Sequence, residues 1–134
     1  MQSPSGRTGR SGKSGKTGLA RIVAATRYSI AGLSATWQRE AAFRQEIALV
    51  LVLVPLAFLL GRTAVERALL LGSCLLMLIV ELLNSAIETV VDRVSVEKHE
   101  LSRVAKDTGS AAVFVSLVLT AVVWGVIALD RFWP

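Results

Sequence analysis

Residues 68–91 form a run apolar enough to cross a bilayer, yet its second half carries Glu81, Asn84, Ser85 and Glu88. Few folds accommodate both facts. A span needs roughly 20 mostly apolar residues, and two further segments meet that need: residues 41–60 and residues 111–129. Arg44, Gln45 and Glu46 near the start of the first are expected at headgroup level, where long side chains snorkel. Gly61 and Arg62 separate the first span from the second, and the polar stretch 92–107 separates the second from the third. Residues 19–38 mix Ile22, Val23, Tyr28, Ile30, Leu33 and Trp37 with Arg21 and Arg27, the pattern of an amphipathic helix lying on a membrane. The chain is therefore expected to be an all-α integral membrane protein, with three transmembrane helices preceded by an amphipathic surface helix. A mean hydropathy of +0.58 with only 19% charged residues excludes an ordinary soluble domain of 134 residues.

The net charge of +5 would suit a nucleic-acid binder if it lay on a folded face. Instead the whole excess falls on Arg7, Arg10, Lys13, Lys16 and Arg21, with no acid among the first 21 residues. Residues 1–18 are mostly Ser, Gly, Thr, Lys and Arg, too polar to bury a core, so they are expected to form a disordered basic tail. No nucleic-acid partner is expected. The run GRSGKSGKT imitates a phosphate-binding P-loop, but both registers put an arginine, Arg7 or Arg10, where the first glycine belongs, and no strand precedes it. The tail has no apolar centre and is not a secretory signal peptide. Cys74 is a lone cysteine in an apolar run, which makes it a packing residue.

Positive residues stay on the cytoplasmic side. The region up to Arg44 holds eight Lys and Arg, the 92–107 connection holds Arg93, Lys98, Arg103 and Lys106, and the first loop has only Arg62 and Arg67. The N-terminus and second connection are thus expected in the cytoplasm, and the C-terminus across the membrane. Trp124 and Trp133 fit an aromatic belt near that end, Trp124 with the option of a deeper position.

Glu81, Asn84, Ser85, Glu88 and Asp92 stand at offsets 0, 3, 4, 7 and 11, which keeps them within roughly 60° of one line on a helix. Leu82, Leu83, Ala86, Ile87 and Val90 take the other faces. A carboxylate at the centre of a membrane helix costs roughly 2.5–3.5 kcal/mol to insert, so the stripe must face protein, water or cations. Asn and Ser alone would pass as interhelical glue; two glutamates on one stripe, with Glu40 at the start of the first span, point to function. Ion transport, metal-dependent chemistry and oligomer assembly would all use such a stripe. Glu97, His99 and Glu100 read as solvated connection residues. Lys106 and Asp107, followed by Thr108 or Ser110 as caps, make an ordinary helix start. The small residues 109–112 favour close approach of the third span.

The runs EAAFRQE at 40–46, VELLNSAIETVVDR at 80–93 and HELSRVAKDTGSAAV at 99–113 closely resemble the prokaryotic diacylglycerol kinase family, and the likeness extends over residues 17–124. It implies that residues 19–134 form a membrane kinase domain. Such a domain assembles as a homotrimer in the bacterial inner membrane and uses ATP and Mg²⁺ to phosphorylate the primary hydroxyl of diacylglycerol, giving phosphatidic acid. By the same resemblance Glu81 is the general base, Asn84 supports it in the active site, and Glu40 and Glu88 are metal ligands that also contact ATP. Arg21, Tyr28, Glu97, Lys98, His99, Lys106 and Asp107 fall on nucleotide positions. The lipid site would use Arg21, Ala25, Ser29, Ile30, Trp37, Phe43, Arg44, Gln45, Glu46, Arg67, Ser110 and Trp124. The chain departs from the family pattern at Lys98, where an aromatic residue is common, at Arg103-Val104, which replaces a Gly-Arg pair, and at Ser34, often Arg. Two alternatives stay open at the level of sequence: a kinase of the same fold acting on undecaprenol, and a nonenzymatic oligomeric channel whose acids face a pore.

Overall fold

The computed structural model describes residues 18–94 and 99–133, and among them the regular structure is entirely helical. Its elements are α1 (Gly18–Arg39), α2 (Ala41–Leu60), α3 (Ala64–Val94) and α4 (Glu100–Phe132). The expected basic tail, all but its last residue, lies outside the described residues, as do Glu97 and Lys98. The chain divides into two compact units, Met1–Gly32 and Leu33–Pro134.

α1 runs across the division between the units, and in its part within the first unit Leu19, Ile22, Val23, Tyr28 and Ile30 are exposed. Its hydroxyls turn onto their own helix, Thr26 donating to the Ile22 carbonyl and Ser29 to the Ala25 carbonyl, each at 3.0 Å.

In the second unit, α2, α3 and α4 are each long and apolar enough to cross a membrane. α2 coincides with the expected span at 41–60, but α3 and α4 run past the apolar segments 68–91 and 111–129. α3 starts early because Thr63 and Glu66 form a reciprocal cap. The Thr63 hydroxyl accepts from the Glu66 N–H at 3.1 Å, while the Glu66 carboxylate accepts from the N–H groups of Thr63 at 3.3 Å and Arg62 at 2.6 Å. α4 is capped by His99, whose Nδ1 accepts from the Leu101 N–H at 3.2 Å. Thr108 and Ser110, expected as caps, lie inside that helix instead, and the Thr108 hydroxyl donates to the Val104 carbonyl at 2.7 Å. The physical reason is that an exposed helical turn needs no apolar side chains when its charges pair locally. Arg103 bridges Glu100 and Asp107 at helical spacing. Apolar patterning therefore marks where lipid begins, not where the helix begins.

α3 packs against both α4 and α2, which touch each other little. Its buried residues Leu70, Ser73, Cys74, Met77, Glu81 and Ser85 recur every three or four positions and so share one face. Phe43, Glu46 and Ala57 of α2 and Gly109, Ser116 and Thr120 of α4 are buried within the same bundle. Small and polar residues suit an interface in lipid, where apolar side chains gain nothing by leaving the hydrocarbon. The Thr120 hydroxyl is shared between the carbonyls of Ser73 at 3.2 Å and Ser116 at 3.0 Å, tying α4 to α3. Leu51, Phe58, Leu59, Leu75, Phe114 and Val126 point outward and are exposed, the reverse of a water-soluble bundle. Cys74 is buried and free, as its packing role requires.

Candidate functional site

The stripe on α3 is a ramp from interior to surface. Glu81 is 3% exposed and Ser85 6%, Asn84 and Glu88 are half-buried, and Asp92 is exposed. The rise is about 16 Å along the axis. On the far side of the same turns Leu83, Ile87 and Val90 are exposed, so the polar face is the one turned toward protein.

α2 brings two more carboxylates to the buried end. Glu40, half-buried, occupies the N-cap position of α2 in extended conformation (φ −104°, ψ 113°), and its side chain makes no capping bond. Glu46 is 7% exposed, and its Oε2 is buried without a hydrogen-bond partner. The Glu81 carboxylate lies within electrostatic reach of Glu40, Glu46 and Glu88. A snorkelling position was expected for Glu46; burial replaces it because Glu46 shares its helix face with buried Phe43 and Ala57. Its neighbour Arg44 turns away and donates from Nη1 to the Trp37 carbonyl at 2.8 Å. The signal was in the sequence: Phe43, Glu46, Val50, Leu53 and Ala57 keep the three-and-four spacing of a packed face.

Asn84 links the middle of the ramp. Its Nδ2 donates to Glu88 Oε1 at 3.4 Å, while its Oδ1 is buried without a partner and faces Gly109 of α4. Ser85 Oγ is also unpartnered. At the exposed end Lys106 Nζ pairs with Asp92 Oδ1 at 2.6 Å, so a cation from α4 meets the stripe where it reaches the surface. Asp107 is engaged by Arg103 at 2.7 Å, His99 caps α4, and Ser110 lies exposed on α4.

Of the expected lipid residues, Arg67 lies away from the carboxylates and Trp124 beside their buried end. Arg67 sits in the first turn of α3, with Nε donating to the Gly61 carbonyl at 2.9 Å and its guanidinium 5.9 Å from the Phe58 ring centre. That is 14 residues, about 21 Å along α3, from Glu81. Trp124 is half-buried in an apolar groove of about 230 Å³ lined by Leu49, Leu53, Met77, Leu117, Thr120 and Ala121. Met77 stands one helical turn from Glu81, so the groove adjoins the buried end of the ramp. Arg21, Ala25, Tyr28, Ser29 and Ile30 belong to the N-terminal unit. Among the described residues no three His, Cys, Asp or Glu side chains converge closely enough to hold a metal ion unaided.

Helices able to span a membrane, with carboxylates on their protein-facing sides beside an apolar groove, define the class as a helical membrane protein. The model of one family, prokaryotic diacylglycerol kinase, matches residues 27–128. Relatives named diacylglycerol kinase are 59% identical over 111 residues in Pseudomonas aeruginosa (83% of this chain, 90% of the relative) and 50% over 107 in Haemophilus influenzae (80% and 91%). A third, from Escherichia coli strain K12, is 49% identical over 112 residues (84% and 92%). The chain belongs to the prokaryotic diacylglycerol kinase family, as its three motifs led one to expect. It is an enzyme, a kinase that phosphorylates an alcohol, and such a kinase takes a nucleotide co-substrate.

Proposed function

We propose that the chain transfers the γ-phosphoryl group of ATP to the primary hydroxyl of diacylglycerol, releasing ADP and phosphatidic acid. It does so as a homotrimer of the bacterial inner membrane, with the N-terminus and the α3–α4 connection in the cytoplasm and the C-terminus in the periplasm, the orientation its Lys and Arg favour. The observation that carries this reading is Glu81, a carboxylate 3% exposed on a membrane helix with three other glutamates in electrostatic reach. Burial of so much like charge is costly and is repaid where the acids meet a reacting hydroxyl and a cation.

Glu81 takes the proton of the lipid hydroxyl as its oxygen attacks the γ-phosphorus and the bond to the β-phosphate bridging oxygen breaks. Asn84 steadies Glu88, and Lys106 and Arg21 offset charge on the moving phosphoryl group. Glu40 and Glu88 would hold Mg²⁺. One or two carboxylates are the donor set this ion uses when substrate phosphates complete its shell. When bound, the ion supplies positive charge to the phosphate oxygens. Tyr28, Glu97, Lys98, His99 and Asp107 serve the nucleotide. On the lipid side Trp37, Phe43, Arg44, Gln45, Glu46 and Ser110 serve the glycerol, the family resemblance adds Ala25, Ser29 and Ile30 to the lipid residues, and an acyl chain lies in the groove beside Trp124. Arg67, at the far end of α3, has no part in this arrangement within one chain. Three short helices cannot wrap both a lipid and a nucleotide, so completion of the site by neighbouring protomers belongs to the same proposal.

Purified protein in mixed micelles with MgATP tests the proposal. The expected product is phosphatidic acid from added diacylglycerol. Faster phosphorylation of undecaprenol would reassign the acceptor, and no lipid phosphorylation by folded protein would overturn the kinase reading of this site.

A further inference from the structure

We propose that Gly109 is a positioning residue for the acidic site: lacking a side chain, it lets α4 seat the Asn84 amide, and that amide holds the Glu88 carboxylate. The inference rests on the metal-holding role proposed above for Glu88.

Glycine weakens a helix interior, so a buried glycine in the middle of α4 calls for a cause. Backbone freedom is not the cause, since no described glycine has a positive φ. Space is the cause. A methyl group built on Gly109 would overlap Asn84 Oδ1 and come within 3.3 Å of its Cγ, whereas one built on Gly72 or Gly125, also in the spanning helices, meets nothing within 4 Å. The two ends of the Asn84 amide are rigidly joined: Oδ1 lies against Gly109 and Nδ2 donates to Glu88 Oε1 at 3.4 Å. Among the described residues no donor reaches Oδ1, so packing against Gly109, not a hydrogen bond, fixes that end. Any side chain at position 109 must rotate the amide, and the bond to Glu88 rotates with it. The contact joins α4, which carries Lys106 and Asp107, to the acids on α3, so the packing of the two helices bears directly on the placement of Glu88.

The test measures binding of a non-hydrolysable ATP analogue as a function of Mg²⁺, together with melting temperature, for Gly109→Ala, Asn84→Ala, the double variant and Glu88→Gln. Gly109→Ala and Asn84→Ala are each expected to raise the Mg²⁺ concentration for half-maximal binding roughly tenfold, the scale of lost outer-shell support for a ligand, and the double variant no more than either alone. Gly109→Ala should lower the melting temperature of the parent yet raise it in the Asn84→Ala background, where the overlap is gone and the better helix former remains. Effects that multiply in the double variant, or equal melting losses in both backgrounds, overturn the proposal. If Gly109→Ala folds only when joined to Asn84→Ala, the proposal stands; if neither folds, Gly109 serves packing alone and it falls. An unchanged Mg²⁺ titration for Glu88→Gln would remove the metal role of Glu88, and the two melting comparisons would then decide the seating of Asn84 separately.

Discussion

The two ends of α3 treat polar groups in opposite ways. At its N-terminus every polar partner is local and satisfied: Thr63 and Glu66 cap each other's turn, and Arg67 closes onto the Gly61 carbonyl. Toward its C-terminus Asn84 Oδ1 and Ser85 Oγ, like Glu46 Oε2 on α2, are buried without a hydrogen-bond partner among the described residues, and Glu81 is buried with other glutamates in electrostatic reach. Water would satisfy the first set at small cost had the protein not done so. The second set has no such recourse, and buried polar atoms left open in a native fold mark a place prepared for something else. On the function proposed above, the contrast separates the part of α3 that builds the membrane domain from the part that works.

That separation breaks most visibly through Glu81. Glu81→Gln is expected to lower phosphoryl transfer about 10³-fold, the range of a lost general base, while melting temperature and nucleotide binding stay near the parent values. A variant that keeps near-normal turnover would place Glu81 with the structural groups. Next in size is Glu88→Gln, expected to raise the Mg²⁺ concentration needed for half-maximal activity roughly tenfold with little change in the maximal rate at saturating metal. An unmoved metal titration would count against ligation at that end of the ramp.

The spans were legible because a bilayer imposes a length, and the stripe because its offsets of 3, 4, 7 and 11 fit the helical period. What lay between spans was not. The start of α4 at Glu100 was hidden because Arg103, Glu100 and Asp107 satisfy one another in a sequence that reads as a polar connection. The T-x-x-E signature at Thr63 to Glu66 was there to be read as the true start of α3. Glu46 was masked by a sound general expectation, that a charge near a span end reaches for water, although its spacing from Phe43 and Ala57 argued for the inward face. The meeting of Gly109 with Asn84 depends on the register between two helices, and no single-helix pattern contains that.

Smaller effects sharpen the structural side of the contrast. Thr63→Ala removes one half of the reciprocal cap and is expected to cost about 1 kcal/mol of stability, with specific activity of the folded protein unchanged within about twofold, since the turn lies roughly 25 Å along α3 from Glu81. A loss of activity larger than the loss of folded protein would join the two ends that the comparison separates.

Thr120 offers the finest division, because its hydroxyl is buried like the acids yet satisfied like the cap, shared between the Ser73 and Ser116 carbonyls. Valine keeps its shape and removes the donor, and both carbonyls sit within helices. The loss should therefore approach the average for an interhelical hydrogen bond in a membrane, about 0.6 kcal/mol, read as a small drop in unfolding free energy in micelles. Lipid phosphorylation should persist, although Thr120 lines the groove beside Trp124, because the substitution leaves that wall apolar and of the same volume. Should Thr120→Val instead abolish turnover at full stability, satisfaction by protein partners would no longer distinguish scaffold from site, and the hydroxyl itself would have to touch the lipid.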